Sequence, residues 1–499
     1  MPGRMEFNLS LSRQDRPRIS HITDRGPMRL LVIGDFSGAP SSQRPVLAGR
    51  PSHAVDIDNF DDVMCRLAPR VLLPTGELGF ASLDDFHPDQ LLARLPLFKA
   101  LREMRQRLGD PARFAQAAAE LRQTGVAAAA PLPSPALPGQ PAAGADSGLL
   151  AQLLGGQPAK VASAPAPVAA PMSGSSPAAG IDAFIRSIVA PHIVPDIAPQ
   201  QASLIASVDA AITDQMRDLL HAPGFQQQES AWRGVQWLIS SLELDDQLQL
   251  HLFDVSREEL LDDVVAAQGR IDQTGIYKAL VDRWRNQPGG QGWTVLTGLF
   301  SFGPSVEDIG LLAALGVLAS QAGGPWLAAG DPALAGSDEA TLTGWNALRH
   351  SEVAPWIGLA APRVLLRLPY GKGSDPVAGF AFEEFGAQPA HAHYLWGAGS
   401  LACTLLIGRA FSASGWDFEP GDQREIGDLP AYSFVKDGER ELQACAEQYL
   451  GEAAGELMMA AGLMPVMSHR HRNAVTLLRF QSVAEPAQMM AGVWSASGR

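Results

Sequence analysis

The chain has 499 residues, 46% of them hydrophobic, with a mean hydropathy of +0.01. This is a soluble globular composition, long enough for more than one core, since single cores seldom grow past about 250–300 residues. A formal net charge of −15 and a pI near 5.2 argue against nucleic acid or an anionic membrane surface as the main partner. Cys65, Cys403 and Cys445 are widely spread with no CxxC, so neither a zinc site nor a disulfide framework is expected. The first residues lack the apolar core of a signal peptide, and no run of about 18 apolar residues is present to span a bilayer. The expected compartment is the cytoplasm.

The first predicted element is a strand over residues 6–12, where Phe7, Leu9 and Leu11 alternate with polar residues. Residues 14–27 are polar and turn-rich, which leaves this strand free to pair with another subunit. Residues 29–33 read as a buried strand running into Gly34-Asp35-Phe36-Ser37-Gly38. Two glycines and a serine after a strand suggest an anion cradle, but the spacing matches neither GxGxxG nor GxxxxGK[ST], and a plain strand exit explains it better. A short strand over 55–58 precedes a helix with Phe60, Val63, Met64 and Leu67 on one face and Asp58 or Asn59 as its cap. A hairpin about Pro74-Thr75-Gly76 follows, then two helices, the second carrying Leu97, Phe98, Leu101, Met104 and Leu108 on one face.

Residues 126–180 change character: Ala, Pro, Gly and Ser dominate, with one acid (Asp146), one base (Lys160) and no aromatic residue. Such a composition buries too little apolar surface to offset ordering entropy, so a flexible linker is expected. Within it Leu149, Leu150, Leu153 and Leu154 form an apolar island, read as a docking peptide or as chance composition. The expected organisation is therefore a domain over 1–125, a linker over 126–180 and a second domain over 181–499.

In the second domain Leu204, Ile205, Val208, Ile212, Met216, Leu219 and Leu220 trace one face of a long helix, ended by His221-Ala222-Pro223-Gly224. Trp232, Val235, Leu238 and Ile239 mark the next helix, Leu248, Leu250 and Leu252 a strand, and Ser256 with Glu259 a capping box. Further strands are expected over 293–302, 326–329 and 363–368, with helices over 305–322, 340–350 and 394–411. Strands alternating with helices give a layered α/β fold with sheets flanked by helices. On a strand over 363–368, Arg363 and Arg367 face one side, and Glu383 and Glu384 supply nearby acids. All four are expected to be buried structural charges.

No catalytic, cofactor or metal site is expected. His391 and His393 near Glu383 and Glu384, and His469 with His471, are metal-ligand types without a second cluster at recognisable spacing. The run from Pro369 to Ser374 lacks the GxxxxGK[ST] frame, and Gly397-Ala398-Gly399-Ser400 is not GxSxG.

Several sequence words in order carry a resemblance. LLHAPGFQQQESAWRGVQWLI at 219–239, SEVAPWIGLAAPRVLLRLPYG at 351–371, FAFEE at 380–384, HYLWG at 393–397, SGW at 414–416 and GDLP at 427–430 resemble the large subunit of the type VI secretion contractile sheath (TssC or VipB). MRLLVIGDFSG at 28–38, VDIDNFDDVMCRLAPR at 55–70 and SLDDFHPDQLLARLP at 82–96 resemble the small subunit (TssB or VipA). The resemblance implies a bacterial structural protein, not an enzyme: a fused, C-terminally truncated sheath chain that pairs with itself or with sheath subunits. The alternating segment with Phe7, Leu9 and Leu11 is expected to make that pairing by strand exchange. An inner tube protein and an ATP-driven unfoldase are implied partners, the latter gripping the Leu149–Leu154 island, as in the leucine-rich segment of large sheath subunits. An accessory paralogue at the baseplate or cap is the alternative, and an enzyme of unknown reaction a third reading.

Overall fold

The computed structural model describes residues 26–73, 76–122, 201–336, 339–386, 390–436 and 438–494. The expected strand with Phe7, Leu9 and Leu11, the 126–180 stretch with Leu149, Leu150, Leu153 and Leu154, and the start of the second segment near Ile181 lie outside these residues. The strands in chain order are β1 (Met28–Gly34), β2 (His53–Val55), β3 (Arg70–Leu73), β4 (Gly76–Gly79), β5 (Leu248–Asp254), β6 (Val295–Phe302), β7 (Trp326–Gly330), β8 (Ile357–Ala361), β9 (Val364–Leu365), β10 (Trp396–Gly397), β11 (Glu425–Ile426), β12 (Ser433–Lys436), β13 (Glu439–Leu442), β14 (Leu463–Ser468) and β15 (Val475–Leu477). The helices used below are α1 (Phe60–Leu67), α2 (Pro88–Arg94), α3 (Pro96–Gly109), α4 (Phe114–Arg122), α5 (Gln201–Leu220), α6 (Pro223–Ser241), α7 (Arg257–Ala266), α8 (Val306–Ala322), α9 (Glu339–Arg349), α10 (Gly399–Ser414) and α11 (Glu452–Ala460).

The fold is mixed α/β, with a large mixed sheet flanked by helices, as the alternation of elements predicts. Among the described residues, strands from both segments of the chain interleave in one nine-stranded sheet, ordered β11-β15-β14-β8-β7-β6-β1-β5-β2. β1 runs parallel to both neighbours, with Leu30 opposite Leu250 on β5 and Val295 on β6. Its sequence, MRLLVIG, explains the position. A strand buried on both faces reads as a continuous apolar run, and Leu30 and Val32 pack into the core on one side while Leu31 and Ile33 pack into the core on the other.

Helices α1 to α6 and α10 contribute to the first core, which also holds Trp232, Phe36 and Phe225. Helices α7, α8, α9 and α11 cover the opposite face, where Leu260, Leu311, Leu315, Trp345 and Met458 are buried. The capping box of α7 forms as expected, with the Ser256 hydroxyl accepting from the Glu259 N–H and the Glu259 carboxylate accepting from the Ser256 N–H. At α1 the cap differs. Asn59 holds the N-cap position without a capping hydrogen bond, because its Oδ1 already accepts from the Asp56 N–H.

The expected strand over 363–368 is corrected. The strand that joins the main sheet lies upstream at β8, and only Val364–Leu365 continues as β9, antiparallel to β10. Pro362 lacks the N–H that would carry a ladder across the junction.

Candidate functional site: the seam between the two segments

The loop leaving β1 does cradle an anion, and the anion belongs to the chain itself. The Phe36 and Ser37 N–H groups donate to Asp254 Oδ1 at 2.8 and 2.9 Å, and the Ser37 hydroxyl donates to Asp254 Oδ2 at 2.7 Å. Asp254 ends β5, so the parallel register of β1 and β5 delivers the carboxylate to the loop. Gly38 sits at φ +59°, and a Cβ there would meet the Arg70 carbonyl oxygen at 2.0 Å. Only glycine fits this close approach.

Two arginines from the loop between β1 and β2 tie this corner to α7. Arg44 contacts Asp35 Oδ1 at 2.5 Å and Glu259 Oε2 at 2.8 Å, and Arg50 donates to Glu259 Oε1 at 2.8 Å and to the Asp254 carbonyl at 2.6 Å. Their side chains are almost completely buried, so the pairing is obligatory. Burial alone would raise the Glu259 carboxyl, but the Arg50 and Ser256 hydrogen bonds and the charges of Arg50 and Arg44 hold it below the usual range.

Apolar contacts cross the same seam. The Trp232 indole N–H donates to the Phe36 carbonyl at 3.0 Å, and its ring meets Phe36 and Phe60 edge-on at 5.4 and 5.7 Å. Phe225 packs edge-on against the stacked Phe80 and Phe86. Asp89 on α2 accepts from the Ala378 and Gly379 N–H groups at 3.0 and 2.7 Å, and Arg105 on α3 pairs with Asp209 on α5.

The sequence-predicted charges separate. Arg367 is buried between Glu229 and Glu384, with contacts of 2.7 Å to each, and lies 4.2 Å over the Tyr370 ring. Burial would raise the Glu384 carboxyl, but the Arg367 charge, the His221 ring 3.4 Å away and hydrogen bonds from Arg367 and the Tyr370 N–H bring it down to about 2. Arg363 and Glu383, expected in the same interior, are at the surface. Arg363 pairs with Glu447 at 2.6 Å, and Glu383 accepts from the Lys372 N–H. Arg363 and Arg367 face different ways because the segment joining them is not one continuous strand.

Glu229 was not anticipated; its signal is an acid on the apolar face of α6, between Phe225 and Trp232. Arg233, one turn on, shares that carboxylate at 2.7 Å. Of the histidines, His391 lies 3.6 Å from Glu447, His393 stacks on His221 at 3.9 Å, and His469 bonds the Thr476 hydroxyl at 2.8 Å. Among the described residues no group of three or more His, Cys, Asp or Glu could hold a metal ion, and no helix is long and apolar enough to cross a membrane. These side chains tie segments together, and Glu229, Glu384 and Glu447 each sit against an arginine.

His251, on β5 beside β1, is buried among Trp284, Trp293 and Arg29. Burial first, and then the Arg29 charge, push its imidazole down to about 4 from 6.5. The unfolded chain takes up this proton near pH 6.5 and the folded chain only near 4. The stabilising neutral state is therefore complete above pH 6.5 and is lost as pH falls through that window. Denaturation between pH 7 and 4 should show an acid loss of up to about 3 kcal/mol from this group, and H251F should flatten that part of the curve. An unchanged slope would remove His251 from the explanation.

Two family models match the chain. The model described as "EvpB/VC_A0108, tail sheath N-terminal domain" (VipB) covers residues 202–484, and that described as "Type VI secretion system, VipA, VC_A0107 or Hcp2" covers residues 23–124. The chain belongs to the type VI secretion sheath family. Small- and large-subunit parts occur in one chain, and the seam described above is where these two parts of a sheath protein meet. The chain is 32% identical over 309 residues to the type VI secretion system sheath protein TssC1 of Pseudomonas aeruginosa, covering 57% of this chain and 62% of that protein. It is 30% identical over 95 residues to the sheath protein TssB1 of the same organism, covering 17% of this chain and 55% of that protein. The chain thus spans less than two thirds of the length of either relative.

Proposed function

We propose that this chain is a structural component of a bacterial type VI secretion contractile sheath, acting in the cytoplasm, with small-subunit-type (1–125) and large-subunit-type (181–499) parts joined by a linker over 126–180. The observation that carries this reading is the position of β1. A strand from the VipA-like part lies between two strands of the VipB-like part and is buried on both faces. The two parts thus form one assembly-ready body, and no residue is assigned a catalytic role.

Assembly proceeds by strand exchange. The alternating segment with Phe7, Leu9 and Leu11 adds to the sheet of a neighbouring copy or sheath subunit, where main-chain hydrogen bonds give affinity, and open head-to-tail contacts build a helical array around an inner tube. An ATP-driven unfoldase then dismantles the array, with Leu149, Leu150, Leu153 and Leu154 as its grip. Deleting residues 1–13 should abolish assembly seen by negative-stain electron microscopy, alone or with small and large sheath subunits, while the deleted protein keeps its thermal transition. Undiminished tubes after the deletion would refute the strand-exchange step. Binding of sheath subunits without tube formation by the full chain would assign it to the accessory role at a baseplate or cap.

A further inference from the structure

A cleft of about 790 Å³ opens beside the seam, where β1 and β5 end, and arginines dominate its polar lining: Arg44, Arg50, Arg66, Arg70 and Arg94. This is an anomaly in a chain with a net charge of −15. Arg44 and Arg50 are neutralised from below by Asp35, Asp254 and Glu259. Arg70 leans on Glu77 and Arg94 on Asp85, both in partly exposed pairs that a competing acid can enter. Arg66 is exposed and has no ion pair among the described residues. The positive field is felt by His53, also in the lining, whose imidazole is lowered first by burial and then by Arg66. Apolar side chains stand close by: Leu72, two residues after Arg70 on the same strand, is 66% exposed, and Val46, next to the lining residue Pro45, is 80% exposed.

A complementary surface exists on the same molecule. α7 buries Leu260 and turns Glu258, Asp262 and Val265 to solvent. Their i, i+4, i+7 spacing puts two acids and a 65% exposed valine on one face. Neither Glu258 nor Asp262 has an ion pair among the described residues, and so neither is paired with the cleft arginines of its own chain. Unpaired acids beside an exposed valine match unpaired and loosely paired arginines beside an exposed leucine and valine.

We propose that the arginine-lined cleft is a docking site for a second copy of this chain, which inserts the acidic outer face of α7. The contact is heterologous: the cleft of one copy takes the helix of the next, so a pair keeps one free helix at one end and one free cleft at the other. Such a contact repeats head to tail and does not close on itself in a dimer. The inference rests on the assembly reading above, and adds to it a charge-steered contact distinct from the strand exchange. Because both surfaces are exposed, association should weaken with salt.

Charge reversal on both sides tests it. The full chain is compared by sedimentation velocity with R66E/R70E and with E258R/D262R, at about 50 mM and about 500 mM salt. R66E alone serves as a second cleft variant that leaves the Arg70–Glu77 pair intact, and circular dichroism checks that each variant is folded. Self-association of the full chain should fall steeply at high salt, and each variant alone should lose about 10-fold or more in association constant. An equimolar mixture should recover it, because the acidic cleft of one variant now fits the basic helix of the other, and the reverse pair is also matched.

Folded variants that associate like the parent, a mixture that recovers nothing, or a parent that is monomeric at low salt would each overturn the proposal. So would tight binding of tripolyphosphate by a chain that does not self-associate, which would give the cleft to a small anion. Electron microscopy with sheath subunits separates this failure from failure of the assembly reading: tubes that form normally from R66E/R70E leave the assembly role standing and remove only this contact.

Discussion

Replacing Arg367 by alanine will cost about 3–5 kcal/mol of folding stability, a large share of the 5–15 kcal/mol typical of a native protein. The reason is what remains. Arg367 is the cation between two carboxylates that are almost fully buried, Glu229 and Glu384. Glu384 keeps the Tyr370 N–H at 2.8 Å, and Glu229 keeps Arg233, but two negative charges then share one partly exposed guanidinium in a dry interior. Such a pair must take up a proton or admit water. Denaturant titration at pH 7 reads the loss directly. The triple variant R367M/E229Q/E384Q, which removes charge from all three positions, should recover a large part of it, since a buried ion pair replaced as a unit is far less damaging than one broken from one side. A single variant as stable as the parent would show that the network is not structural.

The second large effect is expected at Asp254. Truncation to alanine orphans the buried Ser37 N–H and the Ser37 hydroxyl, leaves the Phe36 N–H only its longer 3.2 Å bond to the Gly34 carbonyl, and removes one of the acids around Arg44. Each buried unsatisfied donor costs about 1–3 kcal/mol, so the two together cost about 2–6 kcal/mol. D254N keeps an acceptor for both N–H groups while losing the charge, and should fall between the two, at about 1–2 kcal/mol. The order parent, D254N, D254A in thermal melts is the expected outcome; equal losses for both would assign the effect to charge alone. The two sites differ in what they tie together. Arg367 binds α6 to the segment around Glu384, whereas Asp254 binds the VipA-like part to the VipB-like part.

Much of the fold was legible because periodicity reports burial. MRLLVIG announced a strand buried on both faces, and the α1, α3 and α5 stripes announced their inner sides. Which neighbours β1 takes was not legible, because a pattern of burial does not name the partner. Phe36 and Asp254 are 218 residues apart in sequence. The same limit hid the cradle: two N–H groups after a strand looked like a ligand site without a ligand motif, and the acceptor came from a distant strand end.

β8 and β14 were missed for local reasons. β8, IGLAA, has Gly358, Ala360 and Ala361, of low strand propensity, at three of its five positions, and β14, LMPVMS, carries Pro465, which argues against a strand in sequence terms. Counting residues along a strand puts Arg363 and Arg367 on one face, but the strand between them is only Val364–Leu365 and ends before Arg367. Glu383 and Glu384 are neighbours in sequence, and adjacent residues in extended chain point apart. Only Glu384 turns inward.

The central claim is that the small- and large-subunit parts of this sheath-family chain are one cooperative body, built through β1. Native-state hydrogen exchange by mass spectrometry tests it most directly. Amides of residues 28–34 should exchange as slowly as those of 248–254 and 295–302, through the same global opening and with the same response to denaturant. Residues 28–34 exchanging much faster than both neighbours, in an opening of their own, would contradict it.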